Sequence, residues 1–256
     1  MTNLQFHQFP CREDNYGVLV HDPETGKCAS IDASDEGAIL AALDGTGWKL
    51  SHIYITHWHF DHVEGIAGLK GKFNCHVAGP RREADKIDDL DEKLDDGDEF
   101  NFGGDKVRVI ATPGHTLGMI SFYFVQNKTV FAGDTLFALG CGRLFEGDGA
   151  MMWESMRKLA VLPRDTTVYC GHEYTLANGR FAMSIDPDNE KLQARMKLFT
   201  RLREEGKPTL PTTIGEELDT NPFMRPDDKA IREHLGMAVA SDAAVFTEIR
   251  KRKDNA

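Results

Sequence analysis

Apolar residues in the first two-thirds of the chain come in short runs broken by turn residues. Residues 4–9, 17–20 and 29–32 read as strands, with Asp22-Pro23 and Gly26 between them. From Ser34 onward Ile39, Leu40 and Leu43 share one helical face, which predicts a helix. Residues 52–56 are β-branched and aromatic and predict another strand. Residues 83–96 are rich in charge and read as a solvated surface segment. Residues 99–102 and 106–111 predict a hairpin around Gly103-Gly104, and 119–125 with 129–131 another around Gln126-Asn127. Residues 167–170 are a last short strand. Strands alternating with helices in this way predict a layered α/β architecture.

The period changes after about Tyr174. Leu192, Met196, Phe199 and Leu202 recur at helical spacing among good helix formers, and Gly206 and Pro208 stop that helix. Residues 227–235 and 239–252 read as two more helices, the second with a stripe of Val239, Ala243, Phe246 and Ile249. The last part of the chain is therefore a helical subdomain whose stripes face a core.

Composition narrows the class. The chain has 256 residues, 41% apolar and 28% charged, an ordinary globular balance for one or two domains. Its net charge of −11 argues against non-specific nucleic-acid binding, which needs cations to neutralise phosphates. No apolar run approaches the roughly 20 residues that span a bilayer, so no membrane partner is expected. The N-terminal residues show no basic-then-apolar leader pattern. The five cysteines, Cys11, Cys28, Cys75, Cys141 and Cys170, are odd in number and scattered, with no CxxC pair. Reduced thiols in a cytoplasmic protein are the expectation.

Histidine carries the chemistry. Thr56-His57-Trp58-His59-Phe60-Asp61-His62 places three histidines and an aspartate in six residues, directly after a strand. Imidazole is the commonest metal ligand, and a carboxylate adds a hard charged one. In an extended segment His57 and His59 project to the same side, and curvature after Phe60 turns Asp61 and His62 elsewhere. Four donors from one segment exceed what a single open catalytic ion needs, which favours two metals with further ligands supplied from other strands. His115 (in Pro113-Gly114-His115-Thr116), Asp134 (in Gly133-Asp134-Thr135) and His172 (in Gly171-His172-Glu173) each follow a predicted strand beside a glycine, the position where sites collect in layered folds. Burying such a histidine cluster without a metal leaves costly unpaired polar groups.

THxHxDH followed by these three turns resembles the ligand series of the metallo-β-lactamase-like hydrolases. Asp14-Asn15-Tyr16, the stretch Gly133-Asp134-Thr135-Leu136-Phe137 through Gly140-Cys141-Gly142-Arg143-Leu144-Phe145-Glu146-Gly147, then Cys170-Gly171-His172-Glu173-Tyr174-Thr175 and Asn221-Pro222-Phe223-Met224-Arg225, resemble glyoxalase II (hydroxyacylglutathione hydrolase) along essentially the whole chain. The resemblance implies an αββα metallo-β-lactamase-like sandwich over residues 1–174 and a C-terminal helical substrate-binding domain over 175–256. It implies one metal on His57, His59 and His115, a second on Asp61, His62 and His172, and Asp134 bridging them. The ions would be divalent, zinc foremost, with iron or manganese as alternatives. The substrate would be S-D-lactoylglutathione, hydrolysed by a monomeric enzyme to glutathione and D-lactate, the second step of methylglyoxal detoxification. Arg250 and Lys253, in the cationic run Arg250-Lys251-Arg252-Lys253, would bind the glycine carboxylate, with Arg143, Phe145 and Tyr174 as further glutathione contacts. Glu64 stands where that family usually has glycine, and Phe145 where some members have tyrosine. The rival within the superfamily is a one-iron persulfide dioxygenase, which would leave the second ligand set unused. A non-catalytic metal-binding protein is the third reading.

Overall fold

The computed structural model describes residues 3–256, which form two compact units. One takes in the chain up to Ala111 together with Leu117–Gly133. The other takes in Thr112–Thr116 together with Asp134–Ala256.

In the first unit β1 (Gln5–Cys11), β2 (Asn15–His21), β3 (Cys28–Ile31), β4 (Leu50–Tyr54), β5 (His76–Pro80) and β6 (Glu92–Leu94) form one sheet in sequence order. β1, β2 and β3 pair antiparallel, and β3 through β6 run parallel. Helices occupy the parallel crossovers: α1 (Glu36–Thr46), the single turn α2 (Phe60–Val63) and α3 (Ile66–Phe73). The Asp35 side chain caps α1 by accepting from the Ala38 amide, and Gly47, at φ 73°, ends it in the left-handed conformation that glycine tolerates. Ile39, Ala42 and Leu43 of α1 and Ile66 and Leu69 of α3 share a core with Leu19, Leu50, Ile53 and Val77 of the sheet. On the other face lies an antiparallel meander of β7 (Glu99–Phe102), β8 (Asp105–Ala111), β9 (Ile120–Phe124) and β10 (Thr129–Phe131). Tyr54 meets Phe100, Phe102 and Phe122 at ring separations of 5.0, 5.9 and 5.5 Å, so aromatic rings fill the space between the two layers.

Both hairpins form where the glycine pair and Gln126-Asn127 predict them; Asp105 fixes the second by accepting from the amides of Gln126 and Asn127 at 2.8 and 3.0 Å. The charged segment 83–96 corrects the reading of a solvated stretch. It contributes β6, and Glu83 is buried, its carboxylate accepting from the amides of Trp58 (3.0 Å) and Gly118 (2.8 Å). Charge count alone hides this, because a carboxylate that satisfies two buried amides looks in sequence like one that faces water.

The second unit holds the short hairpin β11 (Leu136–Phe137) and β12 (Gly140–Cys141), the pair β13 (Thr167–Tyr169) and β14 (Thr212–Thr213), and six helices: α4 (Gly149–Ala160), α5 (Thr175–Ile185), α6 (Glu190–Glu204), α7 (Ile214–Thr220), α8 (Lys229–Leu235) and α9 (Asp242–Asp254). The α6 stripe turns inward as its spacing predicts: Leu192 and Phe199 are buried with Leu139 and Ala182, and Met196 and Leu202 pack beside them. Val239 departs from its predicted stripe. It lies fully exposed before Ser241, whose hydroxyl accepts from the Ala244 amide and caps α9, so the helix starts later and buries Val245, Phe246, Ile249 and Arg250. No element is predicted at α3, α4 or α5, although Met152, Trp153, Met156 and Leu159 of α4 form a buried stripe at helical spacing.

The most deeply buried ion pair of this unit joins α6 to α7. Arg195 of α6 donates to Glu217 of α7 at 2.8 Å and also to Thr212 and Thr220, while the second Glu217 oxygen accepts from the Leu139 amide (2.8 Å) and the Asn221 side chain (3.0 Å). Glu217→Ala leaves a buried guanidinium unpaired and is expected to cost about 3–5 kcal/mol, read from urea unfolding. A loss under about 1 kcal/mol would contradict this account of the pair.

Candidate metal centre

In the first unit, β4 ends at Tyr54 and the chain continues extended through His57 and His59 before α2 begins at Phe60. The extended stretch brings His57 Nε2 to 3.1 Å from His59 Nδ1. The helical turn then carries Asp61 and His62 onward, with Asp61 Oδ2 3.5 Å from His62 Nε2. Asn15, buried at the start of β2, donates to Asp61 Oδ2 at 3.0 Å and orients that carboxylate. Glu64 forms an ion pair at the surface with Arg12, whose guanidinium also lies over the Phe60 ring.

Asp32 organises these side chains. One of its oxygens accepts from the Thr56 amide at 2.7 Å; the other accepts from the Thr56 hydroxyl at 3.0 Å and from His62 Nδ1 at 2.8 Å. Because the Thr56 hydroxyl proton is committed to Asp32, that oxygen accepts from His57 Nδ1, 3.0 Å away. Both His57 and His62 are thereby fixed as the tautomer with a lone pair on Nε2, the form that ligates metals.

The second unit holds three further donors. His115 follows the Gly114 turn, Asp134 opens the segment before β11, and His172 follows β13. Asp134 Oδ2 lies 3.5 Å from His115 Nε2 and 3.3 Å from His172 Nε2. His115 Nδ1 donates to the Arg143 carbonyl at 2.8 Å, so its Nε2 too carries the lone pair. Tyr174 stacks on His172, with ring centroids 4.7 Å apart and planes 3° from parallel.

The chemistry of this donor set fits divalent metal. Two ligand atoms on one tetrahedral ion, at bonds of about 2.0–2.1 Å, stand about 3.3 Å apart. Donor separations within each unit run from 3.1 to 3.5 Å. Imidazole lone pairs and carboxylate oxygens held this close repel one another unless a cation lies among them. Thiolates take no part. Burial pushes Cys141 up to about 11 against the opposing charge of Arg250, and burial likewise holds Cys170 well above its usual range, so both stay protonated.

Two family models match successive parts of the chain, and their boundary differs from that of the compact units. Residues 21–172 match the family model of the metallo-beta-lactamase superfamily, and residues 173–256 match that of the hydroxyacylglutathione hydrolase C-terminus. A hydroxyacylglutathione hydrolase of Rhizobium etli is 56% identical over the whole of both chains. One of Mesorhizobium japonicum is 56% identical over 98% of this chain and 99% of its own, and one of Brucella ovis is 57% identical over 98% of each. The chain belongs to the hydroxyacylglutathione hydrolase family. Among solved structures, ETHE1 from Myxococcus xanthus aligns with a TM-score of 0.69 at 25% identity, over 96% of this chain and 90% of its own. The BLEG-1 B3 metallo-beta-lactamase aligns at 0.68 and 22% identity over 86% and 100%, which establishes the expected metallo-β-lactamase fold.

Within the second unit the five residues that the family resemblance assigns to substrate lie in different settings. Phe145 is exposed, 5.3 Å from the His115 ring, and Tyr174 is half-exposed. Arg143 is exposed, with Nε 3.7 Å from Asp254. Lys253 donates to the Ala177 carbonyl at 3.3 Å and lies over the Phe181 ring. Arg250 is only 5% exposed: it donates to the Cys141 carbonyl at 3.0 Å and to Asp254 at 2.7 Å, and lies over Phe223. The cationic run thus splits, since Lys251 is exposed and Arg252 pairs with Glu248 on the outer side of α9. Sequence reasoning missed Asp32 altogether; its one signal is an aspartate closing a strand ahead of the histidine cluster.

Asp32→Asn turns the acceptor for the Thr56 hydroxyl and His62 Nδ1 into a mixed donor–acceptor. It is expected to weaken metal binding about 10–100-fold, measured by competition with a chromogenic chelator, with little change in the folded fraction. Unchanged affinity would refute its control of the tautomers.

Proposed function

We propose that this chain hydrolyses the thioester of S-D-lactoylglutathione and related S-2-hydroxyacylglutathiones, releasing glutathione and the 2-hydroxy acid. The observation that carries this reading is the full-length relation to hydroxyacylglutathione hydrolases, combined with a donor set whose histidine tautomers are already fixed for metal. In this reading residues 1–174 are the catalytic domain and 175–256 the substrate-binding domain. His57, His59 and His115 would hold one ion, Asp61, His62 and His172 the other, and Asp134 would serve both.

When bound, two divalent ions supply Lewis-acid polarisation of the thioester carbonyl and ionise a water at neutral pH. Asp134 would contribute its carboxylate to both ions. Tyr174, stacked on His172, holds that ring in plane. The leaving thiol has an ordinary pKa of about 8.5, so it departs as thiolate without a dedicated acid. Arg250 and Lys253 bind the glycine carboxylate, and Arg143, Phe145 and Tyr174 make the further contacts to glutathione; their binding energy positions the carbonyl. Zinc suits the nitrogen-rich donors. Iron and manganese are the alternatives; TTHA1623, 25% identical with a TM-score of 0.59, was solved in a di-iron-bound form. Five free, buried cysteines fit a reducing compartment, and we place the enzyme in the cytoplasm as a monomer.

Purified protein with about two metals per chain is expected to hydrolyse S-D-lactoylglutathione, followed by loss of thioester absorbance. No hydrolysis at full metal loading refutes the substrate. Chelation followed by desalting is expected to abolish turnover, and zinc or iron(II) to restore it. Asp134→Ala is expected to lower kcat at least 1,000-fold, on the order of other electrostatic catalytic groups, and to reduce bound metal. An active variant with full metal would sink the bridging role.

A further inference from the structure

Arg250 presents its guanidinium incompletely used. One Nη donates to the Cys141 carbonyl, the face lies over Phe223, and the other Nη donates to Asp254 Oδ1 at 2.7 Å. Nε, on the same edge as that second Nη, is buried and has no hydrogen-bond partner among the described residues. The Nε–Nη edge is the fork that takes a carboxylate through two parallel hydrogen bonds, and Asp254 satisfies only one of its prongs.

Asp254 is also poorly placed for its own helix. It is the last residue of α9, where the dipole favours cations. Its carboxylate is 35% exposed and also lies 3.7 Å from Arg143 Nε. Arg143, Arg250 and Lys253 gather around it, and burial, then the charges of Arg250 and Arg180, push the Lys253 ammonium down. The i,i+4 spacing on α9 brings Asp254 onto Arg250, and attraction to Arg250 and Arg143 holds it there against the unfavourable helix dipole.

We propose that Asp254 is a built-in competitor for the substrate's glycine carboxylate: it occupies the Arg250 fork in the free enzyme and must swing outward before that carboxylate can bind. The inference rests on the glutathione-thioester reading above and adds a specificity-setting residue to it. The exchange is one carboxylate for another at the same guanidinium. The enzyme thus gives up part of its binding energy, which sets KM above what the cations alone would allow and lets glutathione leave as Asp254 returns.

The test compares wild type, Asp254→Asn and Asp254→Glu as metal-loaded full chains, on S-D-lactoylglutathione and on the same thioester with its glycine carboxylate methyl-esterified. The expected result is a three- to tenfold lower KM for Asp254→Asn on the free acid, with kcat within twofold. On the ester the same variant should match wild type, and Asp254→Glu, which keeps the competing charge, should stay near wild type on both. A KM that is unchanged or raised in Asp254→Asn overturns the proposal, because a carboxylate that merely orients Arg250 would weaken binding when neutralised. Calorimetric binding of glutathione separates this from the reading it rests on. If wild type hydrolyses nothing but Asp254→Asn binds glutathione more tightly, competition stands and the activity falls. Equal binding, or none by either protein, overturns the competition. Should Asp254→Asn fail to fold, Asp254→Ser is read on the same assays against the same outcomes.

Discussion

A single buried carboxylate sets the donor geometry of the first unit. Asp32 accepts hydrogen bonds from the Thr56 amide, the Thr56 hydroxyl and His62 Nδ1, and through the hydroxyl it also fixes the ring of His57. Its backbone stands at φ 59°, a conformation that aspartate tolerates better than most residues and that other contacts must stabilise. The parallel strands provide that support. The Asp32 amide donates to the Tyr54 carbonyl at 2.9 Å, and the Ala33 amide to the His62 carbonyl at 2.8 Å, so the chain after β3 is tied to the ligand segment after β4. Metal affinity in this unit is therefore a property of strand ends held in register.

The second unit solves a different problem with similar means. Its donors are separated by long stretches of sequence, and the hydrogen bonds that fix them run to backbone: His115 to the Arg143 carbonyl, and Ser155 to the Pro113 carbonyl at 2.6 Å beside the His115 turn. Gly114, at φ 145° with Met152 against its Cα, makes that turn possible, since any Cβ there would collide with α4. The helices beyond are organised by the Arg195–Glu217 pair, which joins α6, α7 and the amide of Leu139. Polar interiors of this kind specify one arrangement because every alternative leaves a charge without a partner.

The same logic extends to the end of α9. α9 sends Arg250 inward and Arg252 outward from one cationic run, and the inward guanidinium is held by a carbonyl, an aromatic face and the carboxylate of its own helix. Electrostatics at this end are therefore local. In a protein of net charge −11 a small group of cations around one acid makes a local positive region that the overall charge opposes.

The strands, both hairpins and the α6 stripe were legible in the sequence because alternation, turn residues and helical spacing are local signals. A candidate donor set was legible too, since few structures other than a metal site account for three histidines and an aspartate in six residues, and each remaining candidate follows a strand beside a glycine. Tertiary structure alone decided the rest. Glu83 reads as surface charge until its carboxylate is seen to meet two amides, one of them 35 positions distant. Val239 continues an apolar period that the Ser241 cap cuts off. Asp32 and Arg250 acquire their roles from partners 24 and 109 positions away. Pattern along the chain records which face of an element is apolar; which polar groups must satisfy one another in the interior depends on contacts between distant segments, and those exist only once the chain has folded.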